Sequence, residues 1–178
     1  MPKGVLWRQH DVFVSSMGGR YFGTDDAMAG SDEVAERASQ APGFASILLI
    51  PPLMHGAAQW GAFQIMTIGG WVAFPDDVES IRADQILRLA ERERVMSPVV
   101  GDAIARSLLD ELERGGYDLS GLVSISNGGA ALTPSVRRRL TAALPNLLII
   151  DTAGASESGL QMNAMSTKGE PTTAKVQR

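Results

Sequence analysis

Short apolar runs that recur between amphipathic stretches constrain the fold of this 178-residue chain more than any other feature. The runs are Ala45 to Ile50, Trp71 to Phe74, Val95 to Val100, Leu122 to Ser126 and Leu147 to Ile150. Leu147 to Ile150 is apolar at every position, the mark of a strand covered on both faces. Strand alternating with helix predicts parallel crossovers and a layered α/β sheet.

The stretches between the runs read as helices with recognisable ends. From Gly56 to Phe74 no residue is charged, a length near that of a membrane span. Gln59, Gln64, Thr67 and the Gly69-Gly70 pair break it, so a buried helix followed by a buried strand is expected. Asp76-Asp77 ahead of Ile81, Ile86, Leu87 and Leu89 opens an amphipathic helix with acids at its positive end. Ile104, Leu108, Leu109 and Leu112 repeat at helical spacing until Gly115-Gly116. Thr133-Pro134 supplies an N-cap and a first-turn proline. The helix that follows buries Leu140 and Leu144 and turns Arg137 to Arg139 outward as a solvated face.

Elsewhere the pattern is weaker. Val5 to Arg8 is strand-like, and Asp11 is placed to cap a helix starting near Val12. Residues 18–40 read as loop with a short helix near Asp32 to Ala38. Pro51-Pro52 ends one strand and Pro98 interrupts another. After Gly159 a loop or frayed tail is expected.

Composition excludes several functions. A net charge of -4 with few, scattered aromatics leaves no basic field for nucleic-acid backbones. Without cysteine there is no disulfide, thiolate zinc site or cysteine nucleophile. The opening residues lack an apolar core with a small-residue cleavage site, so a cytoplasmic protein is expected. The length suits one compact domain or a piece of a longer chain.

Two turns could carry chemistry. Asn127-Gly128-Gly129-Ala130-Ala131 follows a strand and would let a flat ligand approach the backbone, or it is an ordinary strand-to-helix turn. Thr152-Ala153-Gly154-Ala155-Ser156-Glu157 also follows a strand, where open α/β sheets bind ligands. Ser156 could hydrogen-bond a phosphate and Glu157 could hold Mg²⁺, or the segment is a capped turn with a solvated acid. The run Gly154-x-Ser156-x-Ser158-Gly159 misses the nucleophile-elbow spacing by one residue, and both histidines, His10 and His55, lie upstream of the serine. A serine hydrolase is therefore disfavoured. His55 and Trp60 could line an apolar pocket, or be one satisfied histidine beside a core tryptophan. No complete P-loop or G-x-G-x-x-G pattern is present.

Taken in order, MPKGV, PPLMHGAAQW, NGGAAL and GASESG resemble successive motifs of the acyl-CoA synthetases in the adenylate-forming, AMP-binding superfamily, closest to bacterial fatty-acyl-CoA ligases. The resemblance runs from Met1 to about Gly159. It implies a layered parallel-sheet portion of that family's large N-terminal domain, incomplete at both ends. Residues 1–165 would be partial N-terminal core, residues 166–178 a polar tail or truncated loop, and the C-terminal domain would be absent. The implied activity is ATP-dependent ligation of a carboxylic, fatty acid to coenzyme A with Mg²⁺, in a longer parent enzyme. The fragment alone would be inactive and would self-associate through exposed strand edges.

The resemblance assigns Lys3, Gly128, Gly129, Ala130, Gly154 and Ser156 to ATP or AMP binding. It assigns Ser156 and Glu157 to catalysis, Glu157 to the metal, and His55, Gly56 and Trp60 to the acyl pocket. Ala153 departs from the family pattern, which carries an aromatic residue there, so a stacking contact worth about 1–3 kcal/mol is absent. Two alternatives are a non-catalytic remnant that binds a nucleotide or a protein through a sheet edge, and a synthetase for an aryl, amino or steroid side-chain acid. The apolar run around Trp60 favours a greasy acid over an amino acid.

Overall fold

The computed structural model describes residues 4–21, 24, 26–77, 79–128, 132–167 and 173–176, with side chains except those of 161–163 and 173–176. Its elements in chain order are α1 (Gln9–Ser16), α2 (Ser31–Gln40), β1 (Ser46–Leu49), α3 (Gly56–Met66), β2 (Trp71–Ala73), α4 (Ala83–Arg92), β3 (Ser97–Val100), α5 (Asp102–Leu112), β4 (Ser124–Gly128), α6 (Pro134–Ala143), β5 (Leu148–Ala155), β6 (Gly159–Ser166) and β7 (Thr173–Val176). The strands form one sheet in the order β2-β1-β3-β4-β5-β6-β7. β1 to β5 run parallel, and β6 and β7 add antiparallel.

The strand order reverses direction once. From β1 the chain crosses through α3 to the edge strand β2, then returns through α4 to β3 and proceeds to β4 and β5. Right-handed crossovers in opposite directions put their helices on opposite faces. Ile47, Leu49 and Val99 accordingly pack on Ala58 and Ala62 of α3. Leu48 and Val100 join Ile86, Leu109 and Leu140 in the larger core on the other face. Every residue of β1 is buried because both faces are covered, as the apolar run Ile47 to Leu49 requires. Open sheets of this kind bind ligands beyond the carboxyl ends of the strands near such a reversal.

Several local expectations change in three dimensions. No strand forms at Val5 to Arg8; α1 starts at Gln9 with Arg8 as N-cap. Asp11 lies in its first turn, where it accepts from Arg8 Nε at 2.6 Å. Asp77 caps a turn by accepting from the Glu79 and Ser80 N–H groups, and α4 begins only at Ala83. Pro98 is the second residue of β3 and stays in the sheet, paired with Leu48 on one side before the β4 pairing begins at Val99. α3 buries only Ala58 and Ala62, and Phe63 and Met66 are exposed. No helix among the described residues is long and apolar enough to cross a membrane.

Two larger corrections concern the end of the chain. β5 continues through Thr152 and Gly154 to Ala155, where a loop was expected. The expected loop after Gly159 is instead β6, which returns alongside β5 with an irregularity between Ala153 and Gly154. Neither strand is uniformly apolar, so the apolar-run signal does not reach them.

The loop from β4 to α6 is tied to the start of α5. Thr133 N–H donates to Asp102 Oδ1 at 2.8 Å, and Arg106 donates to Asp102 Oδ2 at 2.7 Å. The Thr133 N–H, ahead of the Arg106 guanidinium, holds the Asp102 carboxyl below the usual aspartate range against the opposing effect of burial. A carboxylate depressed on folding stabilises above its unfolded pKa, and that contribution is lost as pH falls through the folded value. Asp102→Asn should therefore lower the urea midpoint at pH 7. The gap from the unmutated chain should close as pH drops through and below the aspartate range, measured by urea titrations at a series of pH values.

Candidate nucleotide and acyl site

Of the predicted site residues that are described, His55, Gly56 and Trp60 follow β1, Gly128 ends β4, and Gly154, Ser156 and Glu157 lie at or past the end of β5. Gly128 closes β4 and pairs with Thr152 of β5. A Cβ at Gly128 would fall 3.3 Å from the Ala57 Cβ of α3 and 3.4 Å from Thr152 Oγ1. The first turn of α3 thus packs directly on the end of β4, at a place where only a side-chain-free residue fits without displacement. Thr152 Oγ1 donates to the Asn127 carbonyl at 2.9 Å, locking the two strand ends together.

His55, Gly56 and Trp60 form one unit at the start of α3. His55 is the N-cap; its N–H donates to the Pro52 carbonyl, and its carbonyl accepts from Ala58 and Gln59. The Trp60 ring lies over Gly56, where an added Cβ would sit 3.1 Å from the ring. The His55 side chain is exposed, with no cap hydrogen bond. Pro51-Pro52 and this N-cap set where the strand stops and the helix starts.

Ser156 and Glu157 lie at the tip of the β5–β6 hairpin, both exposed. The turn is closed by Ser158 N–H donating to the Ala155 carbonyl at 3.1 Å, with Gly159 in the left-handed region at φ 72°. Gly154 pairs with Leu160 on the approach to the tip. Ser156 is four residues beyond Thr152, about 13 Å at the rise of a strand. The tip therefore overhangs the Gly128 end of the sheet instead of packing on it. Lys3, Gly129 and Ala130 lie outside the described residues.

Beneath this end of the sheet lies a polar network around Arg137, which was expected on a solvated face. Asp151 faces α6, accepting from Asn127 Nδ2 at 3.1 Å and pairing with the Arg137 guanidinium. Arg137 also donates to Ser166 Oγ of β6 at 2.7 Å. The Asp151 side chain is 8% exposed and that of Arg137 24%. Arg137 is thus a strut joining α6, β5 and β6. Its neighbour Arg139 bridges to Asp110 and Glu113 of α5. The signal was available in strand parity: Ile149 faces the core under α6, so Asp151, two residues on, must as well, and a buried carboxylate needs a cation.

No group of three or more His, Cys, Asp or Glu side chains converges among the described residues. Mg²⁺ takes one or two protein carboxylates and completes its shell with water and substrate phosphates, so it does not require such a group.

A reversing parallel sheet with Gly128, the start of α3 and a hairpin tip at the carboxyl ends of its strands has the layout of an α/β ligand-binding domain. The chain matches the AMP-binding enzyme family over residues 1–177 and belongs to that family. It is 48% identical over 174 residues to the medium-chain acyl-CoA ligase Mig of Mycobacterium avium, covering 97% of this chain and 32% of that protein. It is 34% identical over 176 residues to the 3-oxocholest-4-en-26-oate–CoA ligase of Rhodococcus rhodochrous, covering 95% of this chain and 31% of that protein. The chain therefore spans about a third of the length of the curated relatives it matches. Among solved structures, its fold resembles the inhibitor-bound N-terminal domain of FACL13 from Mycobacterium tuberculosis. That likeness has a TM-score of 0.57 and 19% identity, over 70% of this chain and 31% of that one.

Proposed function

We propose that this chain supplies part of the nucleotide and acyl site of an ATP-dependent acyl-CoA synthetase, a cytoplasmic enzyme that activates an apolar carboxylic acid and transfers it to coenzyme A. The observation that carries the reading is Gly128 seated between Ala57 and Thr152. The reaction requires the acid and the α-phosphate of ATP to meet, so the acyl wall and the nucleotide turn must touch. A carboxylate oxygen attacks the α-phosphorus, the bond to the departing pyrophosphate breaks, and an acyl-adenylate forms. The thiol of coenzyme A then takes the acyl group as AMP leaves and the thiol proton passes to solvent.

In this reading Gly128, Gly129 and Ala130 offer the adenine a flat backbone, and Lys3 and Gly154 border the phosphates. Ser156 donates its hydroxyl to a phosphate oxygen, and Glu157 holds the metal. When bound, Mg²⁺ would offset charge on the phosphate oxygens. His55, Gly56 and Trp60 border the acid, with Trp60 as apolar wall. The 48% likeness to a medium-chain acyl-CoA ligase favours a medium-chain fatty acid. The 34% likeness to a steroid-acid ligase supports a steroid side-chain acid as the second reading.

Calorimetric titration of the chain with ATP, with and without Mg²⁺, tests the site. Glu157→Gln should weaken binding in the presence of Mg²⁺ by about tenfold and leave metal-free binding unchanged, since only the metal contact is lost. Equal binding of Mg²⁺-ATP by both proteins, or none by either, would sink the assignment. Pyrophosphate exchange with medium-chain and steroid acids, run on the complete enzyme, separates the two acid classes.

A further inference from the structure

Trp7 lies two residues ahead of α1, and its indole N–H donates to the Ser156 carbonyl at 2.7 Å, joining positions 149 residues apart. On the far side of the hairpin tip, Leu160 N–H donates to Ser16 Oγ at 3.2 Å, and that hydroxyl is bonded to Ser15 Oγ at 3.0 Å. A Cβ on Gly159 would fall 2.5 Å from Ser16 Oγ and 2.8 Å from Ser15 Oγ, so the hairpin rests flush on the end of α1. α1 is anchored in turn to α3, because Gln64 Nε2 donates to the Ser16 carbonyl at 2.8 Å. The turn bearing Ser156 and Glu157 is therefore gripped on both sides by one N-terminal segment, which is tied to the helix bearing His55 and Trp60.

We infer that Trp7 is a positioning residue, whose indole N–H on the Ser156 carbonyl fixes the hairpin tip so that Ser156 and Glu157 face the phosphates and metal together. The inference rests on the nucleotide-site reading above; Trp7 acts through the tip and does not touch the nucleotide. On the Ser156 side the indole N–H is the tether to the N-terminal segment, and exposed hairpin backbone without such a tether exchanges readily with water. The indole couples an apolar body that packs on the surface to a single donor, which makes it a directional clamp.

Trp7→Phe keeps the ring and removes the donor. In the full chain without nucleotide, amide hydrogen exchange at residues 157–160 should rise about threefold to tenfold, the worth of one hydrogen bond, while α4 and α5 stay protected as evidence of intact folding. Unchanged exchange at the tip overturns the clamp. Affinity for Mg²⁺-ATP should fall by the same factor while affinity for AMP without metal holds, and adding Glu157→Gln to Trp7→Phe should cost less than the sum of the separate losses. Equal loss for both ligands, or full additivity, overturns the positioning role. If the unmutated chain binds no Mg²⁺-ATP while the tip still loosens in Trp7→Phe, the nucleotide reading fails and takes the assigned task of Trp7 with it, while the clamp itself is confirmed.

Discussion

Arg137→Ala is expected to destabilise the folded chain by about 3 kcal/mol, because it strands the Asp151 carboxylate beneath the sheet. Asp151 would keep the Asn127 amide as a neutral donor but lose its cation, and its side chain is 8% exposed. Complete removal of one partner from a fully buried pair costs about 3–5 kcal/mol; the partial exposure of Arg137 places this pair at the lower end. For a chain of this size the melting temperature should fall by about 6–12 °C. The companion substitution separates the pair from the space it fills. Arg137→Met combined with Asp151→Leu removes both charges while keeping apolar volume, and should recover most of the loss. Urea denaturation of the four proteins in the cycle gives the coupling. A coupling near zero would mean that the strut does not hold α6 to β5 and β6.

Gly154→Ala should damage stability and the site together. A Cβ at this position would sit 2.4 Å from the Gly159 carbonyl oxygen and 3.2 Å from the Leu160 Cα. Both obstacles are backbone atoms of the paired strand β6, so no side-chain rotation relieves the clash. The hairpin must open instead, at about 1–3 kcal/mol, the range for an overfilled site. Opening displaces Ser156 and Glu157, which lie just beyond, so binding of Mg²⁺-ATP should be lost along with the stability. Gly101→Ala at the same end of the sheet meets nothing within 4 Å and serves as a clash-free control, with an expected cost of about 0.5–1 kcal/mol for the poorer N-cap of α5 and no effect on the hairpin. Parallel thermal melts and ATP titrations check both outcomes; a Gly154→Ala chain as stable and as tight-binding as the control would refute the close-packed hairpin.

Much of the parallel half of the sheet was legible because its signals are local. The uniformly apolar Ile47 to Leu49 and Val99 to Val100 can only be strands covered on both faces. The end of α5 is marked by Gly115 and Gly116, both of which adopt the left-handed conformation that a glycine admits. Gly128, His55 and Trp60 could be singled out from the sequence, but that Gly128 lies against the first turn of α3 is visible only in the packing. The antiparallel end was not legible. β6 contains Asn163 and Ser166, and its partner strand β5 passes through Thr152 and Gly154, so neither run carries a uniform apolar signature.

The sequence by itself determined the alternation of strand and helix from β1 to the start of β5, its α/β layering and the glycine stop of α5, because periodicity, caps and glycine conformation act over a few neighbouring residues. Only the tertiary structure decided that β2 is an edge strand and that α3 lies opposite α4 to α6. It alone decided that Arg137 points inward to Asp151 and that Trp7 meets Ser156. Those outcomes depend on which distant segments come to share a surface, and an arginine or an indole has the same local sequence signature whether its hydrogen-bonding partner is water or a residue far along the chain.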